Sequence, residues 1–158
     1  MRVQPLLFPI LALSFGFTLA ACAGAGDPPR VTTGLRCDAG GGQTQQCTLV
    51  LTAPAGYTIT LTTNSCDAIN DEIELTSPVA AVLTTDACRE PNGRLWDYST
   101  PINPAGTEID IVFNSDQFSN PPGTRVTGAY PTWTVNFEDG GDTDFNDVVL
   151  TVAAVPAT

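Results

Sequence analysis

Five carboxylates and one carboxamide crowd a short stretch near the end of the chain: Glu138, Asp139, Asp142, Asp144, Asn146 and Asp147. No basic residue lies among them, and none follows Arg125. Like charges packed this closely cost free energy unless a cation or water relieves them. Calcium is a hard cation that takes about six to eight oxygen ligands at about 2.3–2.6 Å. The run Asp142-x-Asp144-x-Asn146 offers an oxygen at every second residue, and Gly140-Gly141 lets the backbone fold tightly beside them. The spacing is not that of an EF-hand. Asp147 stands where that loop needs its glycine, and the closing Glu is missing. Nor is it the Gly-rich nonapeptide of calcium-binding β-helices. The competing reading is a solvated acidic turn, in which Asp and Asn serve the backbone. The metal reading predicts that Asp142, Asp144 and Asp147 point at one centre. A carbonyl near Gly140 and either Glu138 or Asp139 would complete it.

Other chemistry has less to work with. Glu72, Glu74, Glu108 and Glu138 are acids that a two-carboxylate glycosidase would need. The chain has no His and no Lys. It therefore lacks the usual general base, the Ser-His-Asp triad and a phosphate-cradling loop ending in Lys. The expectation is a non-catalytic module for adhesion or for recognition of a carbohydrate or protein. A glycosidase, or a structural subunit of a surface assembly, is the alternative. Trp96, Tyr98 and Tyr130 are the aromatic residues available to stack on a sugar. A formal charge of −11 repels phosphate backbones, so nucleic acid is not an expected partner.

The chain has five cysteines. The first, Cys22, follows an apolar stretch from Leu6 to Ala21 that is preceded by a single charge, Arg2. This stretch is shorter than a membrane span, contains Pro9 and ends in small residues, which reads as a signal peptide over residues 1–21. Leu19-Ala20-Ala21-Cys22 resembles a bacterial lipobox, which implies that Cys22 carries lipid and anchors the protein. Residues 22–33 form a Gly/Ala/Pro tether. Ala23 after the cysteine implies sorting to the outer membrane or cell surface. The remaining Cys37, Cys47, Cys66 and Cys88 are an even set in an exported chain and point to disulfides. Three pairings are open, and the local one, Cys37–Cys47 with Cys66–Cys88, is preferred. No C-x-x-C spacing supports a zinc site.

The elements that must position these residues read as strands. Tyr57, Ile59 and Leu61 alternate with Thr58, Thr60 and Thr62, the period of a half-buried strand. Further strands are expected at 47–51, 72–75, 79–84, 108–113, 125–130, around Trp133, Val135 and Phe137, and at 148–152. About eight short strands with frequent turn residues predict a single antiparallel β-sandwich domain over residues 34–158, jelly-roll or CUB-like. Residues 89–104 read as a long polar loop holding Trp96 and Tyr98. Such a loop is a place to bind a ligand, or Trp96 plugs the end of the core.

Two resemblances add to this reading. Phe137-Glu138-Asp139, Gly140-Gly141, Asp142-Thr143-Asp144-Phe145-Asn146-Asp147 and the apolar Val148-Val149-Leu150 resemble the end of a family of bacterial surface domains of unknown function. That resemblance covers about 20 residues. It implies an extracellular β-sandwich associated with calcium. The middle of the chain, Cys47 to Leu61, then Cys66 and Cys88, then Ile109 to Asp116, is similar to a CUB domain. That similarity implies a second disulfide, Cys66–Cys88, and a second ion site at Asp71, with Glu72, and Asp116.

Overall fold

The alternation of apolar residues with threonine becomes β3, Ala55–Asn64, with Tyr57, Ile59 and Leu61 buried and Thr62 exposed. The computed structural model of the protein describes residues 36–39, 44–66, 70–115, 123–139 and 144–158. Beside β3 these hold β1 Arg36–Ala39, β2 Thr44–Val50, β4 Glu72–Ser77, β5 Ala81–Thr84 and β6 Leu95–Asn103. The order continues with β7 Glu108–Asn114, β8 Gly123–Ala129, β9 Thr132–Glu138 and β10 Val148–Pro156. A 3-10 turn, Ala87–Arg89, is the one helical element among the described residues. Cys22, the signal segment and the tether lie outside them, as do Asp116 and Asp142.

All the strand pairs are antiparallel. They form two five-stranded sheets, β1-β2-β7-β4-β5 and β6-β3-β10-β9-β8, below called the first and second sheets. Their inner faces interlock into one β-sandwich core that includes Leu49, Ile59, Ile73, Ile111, Val135 and Leu150. Cys37–Cys47 and Cys66–Cys88 are joined, as the local pairing requires. The first links β1 to β2 at a residue pair of their ladder.

The stretch from Arg89 to Pro104 is a correction to the sequence reading. It contains β6, an edge strand paired with β3. Leu95 and Asp97 face out, while Trp96 and Tyr98 face in and pack on the core. The Trp96 Nε1–H donates to the Leu83 carbonyl of β5 at 3.1 Å. Tyr98 stacks on Tyr57 at 5.2 Å between ring centroids. Trp96 thus ties an edge of the second sheet to an edge of the first. Pro101 is tolerated because an edge strand leaves one side of its backbone without ladder partners.

One end of the sandwich collects the end of β9, the start of β10, the start of β2 and Ser65 just past β3. Phe113 of β7 and Phe137 of β9 stack at 4.8 Å, locking the two sheets together one residue before Glu138.

Candidate metal centre

The β9 and β10 ladder has Phe137 paired with Val148. Glu138 and Asp147 are the next residues outward, so the register itself brings them face to face. Asp139 follows Glu138 into the loop. All three are buried, at 2, 4 and 8 % exposure respectively. Each offers a carboxylate oxygen, and these oxygens lie within 4.8 Å of one another.

Neighbouring strands hold the trio. The Asp139 backbone N–H donates to Asp147 Oδ2 at 2.8 Å, and the Phe145 N–H donates to Glu138 Oε2 at 3.0 Å. Ser65, just past β3, donates its N–H to the Asp147 carbonyl at 3.0 Å. Gln45 of β2 is buried and reaches across from the first sheet, its Nε2 donating to the Glu138 carbonyl at 3.2 Å. Its Oε1 accepts from the Thr124 hydroxyl of β8. The backbone beside the acids is thus bonded from both sheets.

Electrostatics follow from that crowding. Burial pushes the Asp147 carboxyl up to about 8. The hydrogen bond to Glu138 and the charges of Asp139 and Glu138 push the same way, against the Asp139 N–H. Asp147 thus tends to keep its proton, which it donates toward Glu138. A divalent ion would take its place and ionise the group.

The rest of the predicted set is arranged differently. Asp144 and Asn146 are turned on each other: Asp144 Oδ1 accepts from the Asn146 N–H at 3.1 Å, and its other oxygen from the Asn146 side chain. They form a local Asx turn. The converging acids among the described residues are therefore Glu138, Asp139 and Asp147, with Asp144 beside them rather than among them. The reason is Phe145, which sits in the left-handed region at φ 62° and turns the chain between Asp144 and Asp147. Its carbonyl accepts from Asn136 Nδ2 at 3.0 Å. Its ring lies on Gly123, where an added Cβ would meet it at 3.0 Å, and Arg125 covers the ring at 3.7 Å from its centroid. Asn136 and Gln45 escaped the sequence reading, and Phe145, though part of the acidic motif, was given no role there, nor was Gly123. An aromatic residue set between Asp144 and Asn146 was the one available signal, and it concerned Phe145 alone.

The second ion site implied by the CUB likeness has one described acid in place. Asp71 is fully buried against the Cys66–Cys88 disulfide, with Oδ2 at 3.0 Å from Cys88 Sγ and its carbonyl accepting from the Ala87 N–H at 2.7 Å. The sulfurs are spent on each other and offer no thiolate to a metal. Glu72 faces outward beside Glu74, where Asn114 Nδ2 reaches both carboxylates at 3.3 and 3.4 Å. A hydrogen bond donated to Glu72, then desolvation, raises the Glu74 carboxyl.

No protein-family model matches the chain, and no curated protein does. Among solved structures the chain is similar to a Chromobacterium violaceum lectin in complex with alpha-methyl-fucoside, with a TM-score of 0.43 and 18 % identity, covering 70 % of this chain and 96 % of that one.

Proposed function

We propose that the protein is an exported, non-catalytic binding module whose β9–β10 loop is held in shape by calcium on Glu138, Asp139 and Asp147. The observation that carries this reading is the convergence of three buried carboxylates, with the Glu138 carbonyl bonded from the first sheet and the Asp147 carbonyl from the end of β3. The donors are all oxygen, which suits calcium and not zinc. Backbone carbonyls and water supply the remaining positions of a calcium shell. The closeness of Glu138 and Asp147 favours an ion over a glycosidase substrate, because a sugar ring does not fit between two carboxyls joined by a hydrogen bond. The apolar leader, Cys22 and the disulfides support delivery outside the cytoplasm on a lipid anchor.

The test is thermal unfolding of the oxidised protein in chelator and in millimolar calcium. A ligand of the native state stabilises by about 2.7 kcal/mol at a hundredfold excess over Kd. We expect a clear rise in melting temperature that magnesium does not match and that Glu138→Gln/Asp147→Asn abolishes. No rise with calcium would reduce the loop to an acidic turn. For the anchor, Cys22→Ala is expected to move the protein from the membrane fraction to the soluble one.

A further inference from the structure

The two sheets present opposite characters to their surroundings. The outer face of the first sheet carries Glu72, Glu74, Glu108 and Asp110, with Arg36 at its margin. The second sheet carries ionic side chains at its two edges alone among its described outward residues, Asp97 on β6 and Arg125 on β8. Its three inner strands, β3, β10 and β9, contain one charged residue, Glu138, and that one is buried at the metal end. In a chain with 17 acids this is a large neutral area.

The pairing register then orders what remains. Thr60, Thr151, Thr134 and Thr127 stand in one row across four strands, with Leu95 closing the row on β6. The next row is Thr58, Ala153, Thr132 and Ala129, closed by Asp97. Thr62 leans onto the first row, its hydroxyl 2.9 Å from that of Thr151. Strand geometry sets these side chains about 4.8 Å apart across the sheet and about 6.6 Å apart along it. Threonine is stiff at χ1, so each hydroxyl and methyl is held before any partner arrives.

Charge decides which partner such a face can take. An anionic polymer is repelled by the whole molecule, and a cationic one finds its counter-charges on the first sheet. The second sheet selects an uncharged partner. Its hydroxyls each contribute little against water, so retention needs many of them engaged at once by a partner that is itself rigid and repeating. Trp96 and Tyr98 are turned inside, and the Phe145 ring laid on β8 at Gly123 is covered by the Arg125 guanidinium, which leaves this face without an open ring on which a short free sugar could stack.

We infer that the outer face of the β6-β3-β10-β9-β8 sheet docks on the packed chains of an uncharged polysaccharide. This deepens the binding-module reading and is independent of the calcium site.

The experiment is co-sedimentation with microcrystalline cellulose and with chitin, with chitosan and an alginate gel as cationic and anionic controls. The expected result is pelleting with an uncharged solid that persists at high salt. It should fall at least tenfold in Thr134→Glu/Thr151→Glu and stay unchanged in Glu74→Gln/Asp110→Asn on the other sheet. Should the double variant not fold, Thr127→Glu on the exposed edge strand β8 takes its place, and its circular dichroism and melting are recorded beside the binding. Failure to pellet with both uncharged solids overturns the inference, and so does pelleting that ignores the threonine variants or follows only the charge of the solid. A concentration-dependent dimer in sedimentation velocity, lost in the same variants, assigns the face to a second copy and overturns it too. Pelleting that survives chelator, without a calcium shift in melting, would sustain this inference while sinking the ion reading. A calcium shift without pelleting would do the reverse.

Discussion

Asp147 is where one side chain sets the behaviour of the loop. Its carboxyl is raised from the ordinary range near 3.8 to about 8, so the folded protein holds that proton more tightly than the unfolded chain does. The sign follows from linkage. The contribution of neutral Asp147 is complete below the ordinary carboxylate range. It is lost as pH climbs from about 4 through about 8. Metal-free protein is therefore expected to melt at progressively lower temperature across that window, once other titrations are subtracted with Asp147→Asn, which keeps the shape and cannot ionise. Calcium needs the ionised form, so the gain from calcium should grow over the same window. Melting temperature against pH, in chelator and in calcium, checks both slopes. A calcium gain that is flat with pH would show that Asp147 is not displaced from its proton by the ion. That acids in this stretch would matter was legible in the residues alone. Which three converge was not, because it depends on Phe137 pairing with Val148 and on the turn made at Phe145.

At the scale of elements, the loop is gripped by β8 and β9 through Phe145. The ring on Gly123, the Arg125 guanidinium above it and the Asn136 bond below fix where Asp144 stops and Asp147 begins. A cation–π contact at an exposed site is worth about 0.5–1 kcal/mol, and the ring adds partial burial. Phe145→Ala is thus expected to cost about 1–2 kcal/mol, read as a roughly tenfold weaker calcium Kd by titration calorimetry, with Phe145→Tyr close to the parent. Equal Kd values for Phe145→Ala and the parent would remove the ring from the site. The other side of the sandwich is closed by Trp96 on β6. Trp96→Ala should fall toward the lower end of the about 3–5 kcal/mol range for large core truncations, since the side chain is only half-buried. Trp96→Phe should lose little beyond one hydrogen bond, about 0.5–1.5 kcal/mol. Denaturant melts separate the two. β6 was hidden in the sequence because Pro91, Asn92, Gly93, Pro101 and Pro104 surround a short alternation, Leu95-Trp96-Asp97-Tyr98. Turn residues outweighed the pattern until a partner strand was in view. β1, four residues long, carries too short a pattern to be read at all. β3, β7 and β9 were legible because their large apolar residues recur at period two, with Val112 of β7 and Glu138 of β9 buried out of step.

For the folded domain as a whole, the two disulfides do comparable thermodynamic work at different distances from the site. Closing loops of 10 and 22 residues removes disorder from the unfolded chain worth about 3 kcal/mol each. Domains of this size hold about 5–15 kcal/mol in total, so reducing both should leave the protein close to unfolding. Their effects on the metal centre should differ. Cys66 follows Ser65, whose N–H holds the Asp147 carbonyl, and Cys88 lies in the turn whose Ala87 and Cys88 carbonyls accept from Asn64 Nδ2. Cys37–Cys47 spans a ladder that the β1–β2 and β2–β7 pairing already fixes. Cys66→Ser/Cys88→Ser is therefore expected to lower both unfolding free energy and calcium affinity. Cys37→Ser/Cys47→Ser should lower the first by a similar amount and leave the second nearly unchanged. Paired denaturant and calcium titrations on the two variants decide it. Equal losses of calcium affinity would mean that global stability, and not the local path through Ser65, is what holds Asp147 in place.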